Sequence, residues 1–292
     1  MRGDSERPLG VFDSGLGGLT VVRALREIVP AEHLIYLGDT ARVPYGTRSP
    51  STVIRYARGC ARVLTARGVK ALVVACNTVS AVAVELLQAE LDIPVLGVVR
   101  PGARAAIDAI SALKVSDGKA SPKIGVLGTP GTVASGAYQR HVAQMSTRFE
   151  VVSQAAPLLV PLAEEGWLSG EVPRLAVRRY VEPLLDAGAG VLVLGCTHYP
   201  LLRPVVEQVL SELSSAPVPV IDTARAASLV VRDMLEKRHI CARSELALGA
   251  PDRGQLTLLV TDQPDGFQRS ADLFLGKHSP RVEQIDLPGL SN

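Results

Sequence analysis

Short apolar runs alternate with longer stretches of helical period along this chain, and few architectures accept that order. The runs at residues 9–12, 34–37, 71–75, 95–99, 123–127, 191–194 and 218–221 have the length of strands. The stretches at 19–29, 51–67, 80–91, 172–187 and 201–213 have the amphipathic period of helices. Strand and helix in alternation predict an α/β fold around a mostly parallel sheet. The polar, turn-rich segment 116–123 reads as a loop.

An internal echo divides the chain. "LGVFDSGLGGLTV" at residues 9–21 and "IGVLGTPGTVASG" at 124–136 share a strand, a glycine-rich turn and a helix start. With Asp13 set against Gly128, Cys76 and Cys196 fall at corresponding strand ends. The expectation is two pseudo-symmetric parallel-sheet α/β domains with a site in the cleft between them. Residues 1–97 with 211–292 are expected to form the first domain and residues 98–210 the second, the stretch after 210 returning to complete the first. A length of 292 residues accommodates both cores.

Composition narrows the function classes. The chain is 47% hydrophobic and 21% charged, as soluble globular proteins are, with a formal charge of +2 spread without a long basic run. Few aromatics interleave with the basic residues, so nucleic acid is not an expected partner. No apolar run approaches the roughly 18 residues that span a bilayer, and "MRGDSERPLG" lacks a signal-peptide segment. A cytoplasmic location with no membrane partner is expected. In a reducing compartment, the four cysteines, Cys60, Cys76, Cys196 and Cys241, are not expected to pair as disulfides, and no CxxC motif points to zinc.

The stretches "ALVVACNTVS" (71–80) and "VLVLGCTHYP" (191–200) have one shape: an apolar run, a small residue, a cysteine and polar residues able to cap a helix. Ligands of open parallel sheets bind beyond the carboxyl ends of the strands. There, helix N-termini offer free N–H groups that favour a thiolate or bind a carboxylate. Two thiols on opposite faces of one carbon suit a reaction in which one removes a proton while the other delivers one, giving the mirror image. A thiol of ordinary pKa, near roughly 8.5, needs little tuning for that work. Cys60, inside a helical stretch, and Cys241, outside any such setting, read as structural.

Several residues could support the thiols. "FDSGLGG" lacks both the GK[ST] ending of a Walker loop and full GxGxxG spacing, so it is a weak phosphate signal. Its Asp13 either caps the next helix or, with Ser14, holds a substrate ammonium. In "GDTARVPYG" (38–46), Tyr45 and Gly46 offer a hydroxyl and backbone donors, or form an ordinary proline turn. His198 can pair with the Cys196 thiol or bind a carboxylate; no further Cys/His cluster completes a metal site. Glu164 and Glu165 read equally well as solvated helix charges.

With "FDSGLGGL", "GDTARVPYG", "ACNTVSA" and "GCTHYPLL" in this order, the sequence resembles the glutamate racemases of the cofactor-independent aspartate/glutamate racemase superfamily. The resemblance runs from about residue 8 to 287. It implies interconversion of L- and D-glutamate, with no cofactor and no metal, to supply D-glutamate for peptidoglycan. By motif position it makes Cys76 and Cys196 the proton donors and acceptors. Asp13, Ser14, Tyr45, Gly46, Asn77, Thr78, Thr197 and His198 become substrate contacts, Asp13 and His198 also assist the thiols, Glu164 is a supporting acid/base group, and Thr129 and Thr132 reach in from the second domain. Arg100 and Ala156 depart from the pattern. A homodimer is compatible with the resemblance, though no subunit arrangement is carried over. Rival readings are a racemase of another acidic amino acid such as aspartate, a cysteine hydrolase using Cys196 and His198, and a non-catalytic binding protein.

Overall fold

The computed structural model describes residues 4–113, 121–242, 254–276 and 279–289. Among the described residues the strands are β1 (Leu9–Asp13), β2 (Leu34–Gly38), β3 (Ala71–Val74), β4 (Val95–Gly97), β5 (Lys123–Gly128), β6 (Val151–Ala155), β7 (Ala189–Gly195), β8 (Val220–Asp222), β9 (Leu256–Val260) and β10 (Val282–Gln284). The helices are α1 (Leu19–Ile28), α2 (Pro50–Ala66), α3 (Asn77–Glu90), α4 (Val99–Ser111), α5 (Pro130–Ala134), α6 (Ala137–Met145), α7 (Leu159–Glu164), α8 (Glu171–Asp186), α9 (Arg203–Leu213), α10 (Thr223–Lys237) and α11 (Pro264–Leu275). Among the described residues no helix is long and apolar enough to cross a membrane.

Every strand pair is parallel. One sheet has the order β10-β9-β2-β1-β3-β4 and the other β6-β5-β7-β8. The internal echo is visible in this order, because β2-β1-β3-β4 and β6-β5-β7-β8 are the same four-strand arrangement. Residues of β1 and β3 are buried along their whole length, which explains why these runs are continuously apolar instead of alternating: helices cover both faces.

The strand at residues 218–221 does not return to the first sheet as expected. Observed as β8, it pairs with β7 through Leu192–Val220, Val193–Ile221 and Leu194–Asp222. The repeat requires it there, since β8 is the counterpart of β4. The return to the first domain begins one element later. Ala224, Ala227, Val231 and Leu235 of α10 join the same core as Val21, Val22 and Leu25 of α1, and Asp222 caps α10 by accepting from the Ala224 N–H at 2.8 Å. The loop expected at 116–123 falls largely outside the described residues, and its last residue, Lys123, opens β5.

Candidate active site

Both cysteines follow central strands, Cys76 after β3 and Cys196 after β7, and each is only 6% exposed. Helix α3 starts at Asn77, three residues before the expected start. Cys76 is its extended N-cap residue (φ −66°, ψ 122°), so Asn77 and Thr78 occupy the first turn and the Val79 N–H reaches the Cys76 sulfur. On the other side a short 3-10 turn, Tyr199–Leu202, separates Cys196 from α9.

The glycine-rich loop after β1 brings the two halves together. Cys76 Sγ donates to Ser14 Oγ at 3.7 Å. Asp13, fully buried, accepts from the Gly15 N–H at 3.0 Å and from the Thr197 hydroxyl at 3.5 Å. The Thr20 hydroxyl donates to the Thr197 carbonyl at 2.9 Å. A Cβ added at Gly17 would lie 2.3 Å from Thr197 Oγ1 and 2.5 Å from His198 Nδ1. Gly17 therefore serves close packing of one domain on the other, whereas Gly15 and Gly18 make room for Val43 and for Asp13 and Tyr36 of their own domain, a purpose that the loop's weak match to phosphate loops did not disclose.

The charges around the thiols differ. Burial, and after it the Asp13 charge, push the Cys76 thiol up to about 12. Burial also raises Asp13, against the pull of His198 and the loop N–H groups. His198 lies between Cys196 Sγ, 3.7 Å from Nδ1, and Glu164 Oε1, 2.9 Å from Nε2. Burial works against its charged form, yet the bonds to Cys196 and Glu164 outweigh it and raise the imidazole to about 10. At neutral pH an imidazolium therefore stands beside Cys196, while Cys76 keeps its proton.

The remaining expected residues distribute as follows. The Thr78 hydroxyl bonds Thr129 at 2.9 Å and Thr132 at 3.2 Å, across the domains. Gly46 sits against Thr129, where an added Cβ would come within 2.9 Å of its Cβ. The Tyr45 hydroxyl, expected to be free for a substrate, donates instead to Asp39. That buried carboxylate also pairs with Arg42 at 2.6 Å and accepts from Thr261 at 2.8 Å, so the Asp39 cluster engages the Tyr45 hydroxyl and fixes the loop. Glu165 is exposed and only Glu164 meets His198.

Cys60 is fully buried in α2, its thiol pushed well up by burial, and Cys241 is exposed. Arg100 lines a cavity of about 720 Å³ with Glu85, Arg104, Arg140 and His141. The Ala156 carbonyl accepts from the Tyr199 hydroxyl at 2.8 Å. Sequence reasoning missed Asp39, although it lay inside the quoted motif "GDTARVPYG".

Two buried cysteines stand at matched strand ends, one beside a carboxylate and the other beside an imidazole, and the chain's relatives are racemases. Residues 9–229 match the family model described as Asp/Glu/Hydantoin racemase. A glutamate racemase of Geobacter metallireducens is 44% identical over 281 residues, covering 96% of this chain and 97% of that one. Among solved structures, glutamate racemase from Thermus thermophilus, in complex with beta-chloro-D-alanine, superposes with a TM-score of 0.82 at 39% identity, covering 99% of this chain and 100% of the other. That from Francisella tularensis, in complex with D-glutamate, gives 0.83 at 32% identity, covering 98% and 100%. The chain belongs to the Asp/Glu/hydantoin racemase family and, within it, to the glutamate racemases.

Gly17→Ala is expected to lower kcat/KM by about 10²-fold, the cost of displacing a catalytic group by an ångström. The added methyl must push Thr197 and His198 away from the glycine loop. Activity within twofold of the parent would mean that this close packing is dispensable.

Proposed function

We propose that the protein interconverts L-glutamate and D-glutamate by a two-thiol exchange of the Cα proton, supplying D-glutamate for peptidoglycan. The observation that carries this reading is the pair of unlike thiols: Cys76 held protonated by burial and Asp13, Cys196 beside the His198 imidazolium. One sulfur takes the Cα proton while the other delivers its own to the opposite face. Each turnover exchanges the protonation states of the two sulfurs, and the enzyme runs the other way from there.

Asp13 and Ser14 hold the ammonium of the substrate. Asn77, Thr78, Thr197 and the backbone at Tyr45 and Gly46 hold its carboxylates with N–H and O–H donors. Because Asp13, Thr197 and both sulfurs are buried, the loops at 14–18 and 44–46 part from Thr197, His198 and Thr129 to admit a ligand. A polar site that excludes water strengthens the electrostatic interactions within it.

The test is polarimetry of purified protein with each acidic amino acid and no added cofactor. L-glutamate is expected to lose its rotation while L-aspartate keeps it. Equal turnover of aspartate would favour the broader acidic amino-acid racemase, and neither substrate changing would overturn the reading.

A further inference from the structure

A chain of buried hydrogen bonds runs between the two cysteine-bearing strand ends. The Tyr138 hydroxyl, on α6 of the second domain, donates to Asn77 Oδ1 at 2.8 Å. The Asn77 amide nitrogen donates to Thr223 Oγ1 at 3.5 Å, and the Thr223 hydroxyl donates to the Leu194 carbonyl at 3.2 Å. Tyr138, Asn77 and Thr223 are each about 2% exposed, so water does not compete for these groups.

The direction of the chain is fixed by chemistry. A carbonyl only accepts, so the bond to Leu194 uses the single Thr223 proton, and Thr223 Oγ1 can then only accept from Asn77. The asparagine must turn its nitrogen toward Thr223 and its oxygen toward Tyr138, which must donate. Burial, reinforced by the charge of Cys196, raises the phenol above its ordinary pKa, and it remains a donor throughout the working range. Room for the junction comes from Gly102 of α4, where an added Cβ would come within 2.6 Å of the Thr223 methyl and 3.5 Å of the Tyr138 hydroxyl.

Asn77 adjoins Cys76, and Leu194 lies two residues before Cys196. We infer that Tyr138 and Thr223 are positioning residues of the racemase: their chain through Asn77 ties the end of β3 to the end of β7 and so sets the placement of one thiol relative to the other. The inference rests on the two-thiol reading. Neither residue touches the reacting carbon, so their loss should act on turnover more than on binding.

The experiment compares Tyr138→Phe, Thr223→Val and Thr223→Ser with the parent and Cys196→Ala, measuring kcat, KM and the melting temperature of each. Tyr138→Phe and Thr223→Val each leave a buried polar group without its partner, and kcat is expected to fall about tenfold, with KM within twofold and the protein folded at the assay temperature. Thr223→Ser keeps the hydroxyl and is expected to regain most of what Thr223→Val loses. If either breaking variant keeps kcat within twofold, if kcat falls only in proportion to folded protein, or if serine does no better than valine, the inference is wrong. Were Tyr138→Phe not to fold, the Val/Ser pair would decide it. A parent as inactive as Cys196→Ala would defeat the two-thiol reading itself, a different outcome from an active parent with indifferent Tyr138 and Thr223 variants.

Discussion

Cys76→Ala is expected to slow racemisation of glutamate by roughly 10²–10⁴-fold, the contribution of a positioned acid or base. Cys196→Ala should do the same. Each direction of the reaction uses both sulfurs, one to take the proton and one to give it, so the double variant should be little worse than either single one, as for residues that act as a unit. Stopped-time assays from each enantiomer, with melting curves to show that the variants fold, check this. Both positions are lined by apolar neighbours, and a cysteine-to-alanine change removes one sulfur without adding bulk. Full activity in Cys76→Ala would leave Cys196 and His198 as a lone pair, the arrangement a cysteine hydrolase would use.

The second large effect belongs to His198. His198→Asn removes the cation between Cys196 and Glu164, and kcat is expected to fall roughly 10²-fold. The pH profile separates this from simple loss of packing. Because the imidazole is raised to about 10, it is charged throughout the neutral range and loses its charge as pH rises through that value. The parent should therefore lose activity on an alkaline limb near pH 10, and His198→Asn should lack that limb. Glu164→Gln should shift the limb to lower pH, since it removes one of the two interactions that raise the imidazole. An alkaline limb unchanged in His198→Asn would assign it to another group.

Much of this was legible in the sequence, and the failures have physical causes. The runs that became β1, β3, β5 and β7 were readable because central parallel strands are buried on both faces and must be apolar throughout. Strand β6, "VVSQA", lies at the edge of its sheet with every residue half-buried, and its polar residues hid it. The segment that became β8 was recognised as a strand but given to the wrong sheet, because three residues do not state their partner.

The site divides in the same way. Cys76 and Cys196 could be paired across the chain because the fold repeats itself and the repeat is written in local pattern. Tyr138 and Thr223 could not be found so, since their hydroxyls matter only through contacts with Asn77 and Leu194, far away in sequence. Tyr45 shows the converse case. Its motif singled out the loop, yet the destination of its hydroxyl depended on Asp39, a buried carboxylate that Arg42 and Thr261 also hold.

The measurement that bears most directly on the two-thiol account is the fate of the Cα proton in deuterium oxide. Purified protein is incubated with L-glutamate, the reaction is stopped early, and the two enantiomers are separated and weighed by mass spectrometry. If one sulfur removes the proton and the other supplies a solvent-derived one, the D-glutamate carries deuterium at Cα while the remaining L-glutamate still carries protium. D-glutamate that keeps its original proton, or L-glutamate that gains deuterium as fast as the product does, would mean that a single group works on both faces, and the account of Cys76 and Cys196 as partners would be wrong.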